Sequence, residues 1–119
     1  MNAEPRTVTL RTLDHGNVTM PEPAWCAGHA DHRPVDRADL THSGTETPLT
    51  FHGHTLWTAL LSQYPFATDH ATGLYVEQGG FALTLDPVSL YSLAAALDTH
   101  ADQLRALADQ LAAIRGADR

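Results

Sequence analysis

The alternation of apolar and polar residues predicts strands near the N-terminus. Val8 and Leu10 alternate with polar neighbours, which is the period of two that a half-buried strand requires. The turn-forming sequence DHGN follows, and residues 18–20 return as a second strand that is ended by prolines, which cannot donate to a ladder. The pattern predicts an N-terminal hairpin within residues 1–21.

The clearest periodicity is helical and lies in the C-terminal quarter of the chain. Asp86 supplies an N-cap oxygen, and Pro87 stands at the first helical position, where its missing N–H costs nothing. Apolar residues then recur at spacings of three and four as far as Ile114, and Gly116 is placed to end the helix. We expect one long amphipathic helix over residues 86–116.

The middle of the chain has a mixed pattern. Residues 22–48 are rich in proline, glycine, aspartate and histidine and show no period, so they are predicted to form a loop. Within residues 49–85 we expect a short strand, a short helix over residues 54–64 and a hairpin around the sequence QGG. The predicted fold class is α+β, a small antiparallel sheet with a short helix and the long C-terminal helix, in a single domain over residues 1–119.

Composition and charge narrow the classes of protein. The 119 residues are 43% hydrophobic and 18% charged, a balance typical of a globular domain. The 14 acidic side chains outnumber the 7 scattered basic ones, which argues against direct binding to nucleic acid or to an anionic membrane. With a lone cysteine, no secretory signal pattern and no long apolar run, we expect a cytoplasmic protein without a membrane span.

The most specific chemical feature is a cluster of one cysteine and three histidines within the predicted loop. Cys26, His29, His32 and His42 follow the pattern C-x2-H-x2-H-x9-H. Zinc favours four tetrahedral nitrogen and sulfur ligands, and a long loop in a compact domain needs something to organise it. We therefore expect one zinc ion bound by Cys26, His29 and His42, with His32 as the favoured fourth ligand. Three further residues are reserve ligands, namely Asp39, His52 and His54.

Other interpretations of the cluster remain open. In one alternative, the histidines are merely solvated and Cys26 is a small buried apolar residue beside Trp25. A reactive cysteine-histidine pair is disfavoured by the aspartates nearby in sequence, and a metal hydrolase would need an open coordination position and a base. Iron, nickel and copper also suit nitrogen and sulfur ligands. Away from the cluster, His15, His70 and His100 are expected to be surface or internally satisfied histidines.

Three segments together resemble a known family. PEPAWCAGH, DLTHSG and the C-terminal stretch that begins LDPVSLYSL are similar to an uncharacterised, streptomycete-type family of small actinobacterial proteins, a domain of unknown function. Its most specific part is the motif Trp-Cys-x-x-His followed by Asp-x-x-His-x-Gly. The resemblance covers nearly the whole chain and implies a cytoplasmic protein of a GC-rich bacterium, but it implies no activity.

These features predict a non-enzymatic, zinc-stabilised module for protein interaction or regulation. The alternative is a small enzyme that depends on a metal or on Cys26, in the manner of a hydrolase. The long helix is the expected surface for a homodimer or another protein partner, because its leucines recur at heptad spacing. The predicted partner-binding residues are Leu97, Leu104, Leu107 and Leu111.

Overall fold

The computed structural model describes residues 6–117 and confirms the α+β class. Its elements are two small antiparallel sheets and one long helix. The strands are β1 (Arg6–Arg11), β2 (Asn17–Glu22), β3 (His42–Ser43), β4 (Thr47–Phe51), β5 (His54–Gln63) and β6 (Gly73–Gln78). A 3₁₀ turn (Arg37–Asp39) precedes β3, and the helix α1 (Pro87–Ala117) follows β6. None of the helices described is both long and apolar enough to cross a bilayer.

The described residues divide into two compact units. One consists of residues 6–45 and 61–73, and the other of residues 46–60 and 74–117. Strand β5 contributes its last residues to the first unit and its earlier ones to the second. The single domain expected over residues 1–119 stays a prediction.

The first unit is built on the predicted hairpin. Strands β1 and β2 pair from Arg6 opposite Glu22 to Arg11 opposite Asn17, and the parts of the prediction on residues 1–5 lie outside the described residues. The strand continues through Pro21 instead of ending there, which an edge strand allows because a missing N–H can face away from the partner. The core of the unit is apolar and consists of Leu10, Met20 and Leu40, with Val8, Val18, Val35 and Phe66 packed against it.

Residues 22–48, predicted as a loop, are mostly irregular but are tied down by backbone hydrogen bonds. The Leu13 N–H donates to the Val35 carbonyl at 2.8 Å, and the Ala27 N–H donates to the Ser43 carbonyl at 2.9 Å. Strand β3 within this segment pairs with the end of β5. The segment is therefore held against the sheet and the hairpin of its own unit.

The short helix predicted over residues 54–64 is wrong, because this stretch forms the strand β5. Leu49 of β4 pairs with Trp57, whereas the next residue, Thr50, pairs with Thr55, so Leu56 is an extra, bulged residue. A bulge re-aims a side chain and breaks the alternation of two. Because β5 is partly buried on both faces, apolar residues occur next to one another along it. Their spacing therefore resembled that of a helix.

The hairpin predicted around QGG is also wrong, since residues 81–85 form no strand. Strand β6 ends at Gln78, and the Gly79 N–H donates to the Leu56 carbonyl of β5 at 2.8 Å. A Cβ on Gly79 would lie only 2.0 Å from the Thr55 carbonyl oxygen. The glycine is required by this close approach of two backbones and not by a tight turn.

The long C-terminal helix is confirmed. The Asp86 carboxylate accepts the Ser89 N–H at 2.8 Å, as an N-cap should, and this hydrogen bond lowers the pKa of Asp86. The helix runs for 31 residues, about 46 Å at a rise of about 1.5 Å per residue, and passes through Gly116 to Ala117. Its one buried residue within the described chain is His100.

The close approach at Gly79 generates a stability prediction. We expect Gly79→Ala to lower the free energy of unfolding by about 1–3 kcal/mol, because the methyl group would force the two backbones apart. Gly80→Ala is the matched control, since nothing lies within 4 Å of its Cβ, and it should change stability by less than about 0.5 kcal/mol. Urea denaturation of both variants checks the prediction, and equal stabilities would contradict it.

Candidate metal centre

Four side chains with metal-binding atoms meet in the first unit. Glu22 is the last residue of β2, Cys26 and His29 lie in the turn that follows, and His42 is the first residue of β3. The turn is closed by the Cys26 N–H, which donates to the Pro23 carbonyl at 3.0 Å. One donor atom from each of the four side chains lies within 4.8 Å of every other.

The spacing of these atoms suits a tetrahedral ion. Donors about 2.0–2.3 Å from a tetrahedral zinc ion lie about 3.3–3.8 Å from one another. Cys26 Sγ is 3.6 Å from His29 Nε2, and His29 Nε2 is 3.0 Å from Glu22 Oε1. The ring centroids of His29 and His42 are 5.4 Å apart at 65°, so the rings do not stack. Only small adjustments would place all four donors around one ion.

Two of the four groups carry buried polar atoms without a hydrogen bond. Glu22 Oε1 lies near the His29 ring but lacks the alignment of a hydrogen bond, and Nδ1 of His42 has no partner. An unsatisfied buried polar group costs about 1–3 kcal/mol. Both atoms offer lone pairs. A cation between them would therefore satisfy both, whereas another hydrogen-bond acceptor would satisfy neither.

Burial and charge at the site point the same way. The Cys26 and His42 residues are 8% and 1% exposed, and the side chains of His29 and Glu22 are 11% and 13% exposed. Burial raises the pKa of the Cys26 thiol, and Glu22 adds to this rise. A bound cation would reverse the effect and favour the thiolate. The resulting two negative charges would match a divalent ion.

His42 is held in the neutral form that a metal requires. Burial lowers its pKa, and the neighbouring His29 lowers it further, while Glu22 and a hydrogen bond to the Pro21 carbonyl act in the opposite direction. Metal-binding histidines commonly donate their second ring N–H to a backbone carbonyl, which fixes the ring. Pro21 supplies that carbonyl and leaves Nδ1 of His42 as the nitrogen available to an ion.

The structure thus brings together three of the four expected ligands, Cys26, His29 and His42. His32, expected as the fourth, lies outside the group, because its Nε2 is hydrogen-bonded to the Arg11 carbonyl at 2.9 Å. Glu22 takes the fourth place.

The reserve ligands also lie elsewhere. Asp39 ends the 3₁₀ turn. His52 lies in the turn between β4 and β5, whereas His54 is the first residue of β5, so the two are not neighbours on one strand of the second unit. His52 stacks on Phe51 with ring centroids 4.0 Å apart, and the His54 ring contacts Phe81. None of these side chains belongs to the cluster.

Sequence reasoning missed two residues that the structure makes prominent. Glu22 fits no ligand spacing in the sequence, and its approach to within 3.0 Å of the His29 ring appears only in the folded chain. His100 was expected to be isolated or satisfied, yet it is buried with Nε2 unpartnered. Its place among the leucines of the helical stripe was the available signal.

The fold and the site together define a small α+β protein with a buried cluster that could hold a metal ion. The chain belongs to the family described as Domain of unknown function (DUF6907), whose model matches residues 7–113. Comparisons with curated proteins and with solved structures gave no match.

The two choices of fourth ligand generate a prediction. Glu22→Gln should weaken zinc binding by at least about tenfold, because it removes a charged ligand while keeping the shape of the side chain. His32→Ala, the control, should bind zinc as tightly as the unaltered chain. Competition with a chromogenic chelator measures both affinities. If only His32→Ala weakened zinc binding, His32 and not Glu22 would be the fourth ligand.

Proposed function

We propose that this protein is a non-enzymatic, zinc-stabilised module for protein interaction. The observation that carries the proposal is the meeting of four donor atoms within 4.8 Å of one another, three from residues 22–29 and one from His42 of β3. They join the end of β2, the turn after it and β3. A metal ion here would act as a cross-link within the first unit.

The donor set favours zinc among the divalent metals. Thiolate and imidazole ligands suit zinc, and a single carboxylate is compatible with it, whereas magnesium and calcium prefer oxygen ligands alone. The cysteine is free in the described chain, which accords with the reducing cytoplasm that we propose as its compartment. Iron, nickel and copper share this preference for nitrogen and sulfur, so metal content is part of the test.

A structural role is favoured over catalysis by the number of ligands. Four protein side chains fill a tetrahedral shell, while catalytic zinc sites keep one position for water or substrate. Glu22, the nearest carboxylate and hence the obvious general base, is itself one of the four. A small hydrolase would need one of these groups to leave the ion.

Metal removal provides the experiment. Protein purified without a histidine tag should contain about one zinc per chain, and a strong chelator should lower its melting temperature. Hydrogen exchange should accelerate at the Ala27 and Gly44 amides, which donate to the Ser43 and Leu61 carbonyls beside the site. The Ser89 amide, which donates to the Asp86 carboxylate at the start of the helix, should keep its protection and serves as an internal control.

The opposite results would overturn the proposal. Protein that is stable with far less than one equivalent of zinc, and unchanged when zinc is added, does not use the metal as a cross-link. Zinc-dependent hydrolysis of an ester or phosphoester, lost in Cys26→Ser, would favour the enzyme instead.

For the partner, we propose a second copy of the chain bound through the helix. Of the four leucines expected to bind it, Leu97 is 48% exposed, whereas Leu104, Leu107 and Leu111 are half-buried. Leu90 lies seven residues before Leu97 and is 57% exposed, so an apolar stripe remains in water along the first half of the helix. Leaving such leucines exposed forgoes roughly 1.5–3 kcal/mol of burial each. The proposed interface is therefore centred nearer the N-terminus of α1 than the heptad pattern alone suggests.

Charge substitution tests this interface. Leu90→Glu should convert a dimer into a monomer, because it places a charge within the exposed apolar stripe. Ser92→Glu, on an exposed position of another face, should leave the dimer intact. Light scattering at micromolar concentration measures the mass of each. A strict monomer for the unaltered chain would exclude self-association and leave only a different protein as partner.

A further inference from the structure

A cavity of about 640 Å³ lies in the second unit. Its lining residues come from β4, β5, the end of β6 with the segment after it, and α1. Most of them are apolar, and none belongs to the metal cluster. This size and composition are typical of sites for small molecules, which are concave and largely apolar with a few polar groups.

The lining residues differ in their exposure to solvent. Leu49 is 7% exposed, and Ala101 and Leu104 are half-buried. Leu97, in contrast, is 48% exposed, and its neighbour Asp98 is exposed as well. The cavity therefore has a covered apolar wall and a rim, at Leu97 and Asp98, that borders water.

The rim carries a negative charge that the protein does not neutralise. Among the lining residues Asp98 alone is acidic, and none is lysine or arginine. Within residues 6–117 the Asp98 carboxylate forms no ion pair. Arg105, the next basic residue along α1, donates instead to Asp102 at 2.9 Å. An aspartate side chain is short, so its charge lies close to the cavity whichever of its atoms form the wall.

The charge of the whole second unit has the same sign. Residues 46–60 and 74–117 contain six acidic residues and two basic ones. The acidic ones are Glu46, Glu77, Asp86, Asp98, Asp102 and Asp109, and the basic ones are Arg105 and Arg115. A surface with this balance attracts cations and repels anions.

We infer that the cavity binds a small organic cation, an apolar molecule that carries an ammonium group. The apolar part is covered by the wall of leucines, Phe81 and Ala101. The ammonium group pairs with Asp98 at the rim, where it keeps much of its water and so avoids the cost of burying a charge. The ligand class is thus that of arylalkylamines and alkylamines.

Uncharged and anionic ligands fit less well. An uncharged apolar molecule can contact the same wall, but it gains nothing from Asp98. A carboxylate of the same size is repelled by Asp98 and by the other acidic residues of the unit. The charge at the rim therefore selects among ligands that the apolar wall alone would accept.

The test uses three probes of similar shape on the whole 119-residue chain, namely 2-naphthylmethylamine, 2-naphthylmethanol and 2-naphthoate. In amide NMR spectra we expect the amine to shift the Gly79 and Ala101 signals in a saturable manner while the Ala112 signal stays in place. The amine should bind about fivefold more tightly than the alcohol, and the carboxylate more weakly than either. Added salt should lessen the difference between amine and alcohol, because exposed charges are screened.

One pair of variants tests the charge at the rim. Asp98→Asn keeps the shape of the side chain and should reduce the preference for the amine over the alcohol to less than about twofold. Asp109→Asn, at an exposed position of the same helix that does not line the cavity, is the matched control and should keep the preference.

A second pair of variants tests the location. Ala101→Phe fills the cavity and should abolish binding of all three probes, whereas Ala106→Phe, at an exposed position of the same helix, should leave it unchanged. None of the four substituted residues belongs to the metal cluster, so these comparisons do not depend on zinc binding.

Four results would overturn the inference. They are the absence of a saturable shift at Gly79 and Ala101, equal affinities for amine and alcohol, a preference that survives Asp98→Asn, and binding that survives Ala101→Phe in a folded protein. A shift confined to the Ala27 amide would show that the amine binds at the metal cluster instead. Self-association lost in Ala101→Phe, without any binding of the amine, would show that a second copy of the chain covers the cavity.

Discussion

Glu22 and His42 each contain one buried polar atom that no hydrogen bond satisfies, and they belong to one cluster with Cys26 and His29. Burying acceptors together is unfavourable in a metal-free protein, because each loses its water without gaining a donor. A single bound cation would remove the penalty for the whole group. The irregular segment from Pro23 to Leu40 contains Cys26 and His29, and the Ala27 N–H within it donates to the Ser43 carbonyl of β3.

The second unit depends on a different constraint, which is the close passage of Gly79 against β5. This passage brings the segment after β6 beside the bulged strand, and α1 completes the walls of the cavity with Leu104 and His100. The bulge at Leu56 and the helix thus surround a space that the side chains do not fill.

Local patterns in the sequence were enough for elements that local physics determines. The hairpin of β1 and β2 follows from the alternation around Leu10, and the start of the helix follows from Asp86 and Pro87. Local patterns were insufficient for β5, because a bulge and partial burial on both faces give its apolar residues a helix-like spacing. They were also insufficient for Gly79, because its role depends on the backbone of Thr55, which is distant in sequence. Three cluster members were likewise visible from their spacing, but the fourth, Glu22, joins them only through the folding of the chain after β2.

In the proposed metal centre, one ion is bound by one thiolate and three nitrogen or oxygen donors. X-ray absorption at the zinc edge of the loaded protein tests it most directly, because the fine structure reports the number and type of neighbours. We expect a four-coordinate shell with one sulfur at about 2.3 Å and three nitrogen or oxygen atoms at about 2.0–2.2 Å. A shell without sulfur, or one of five or six light atoms, would contradict it.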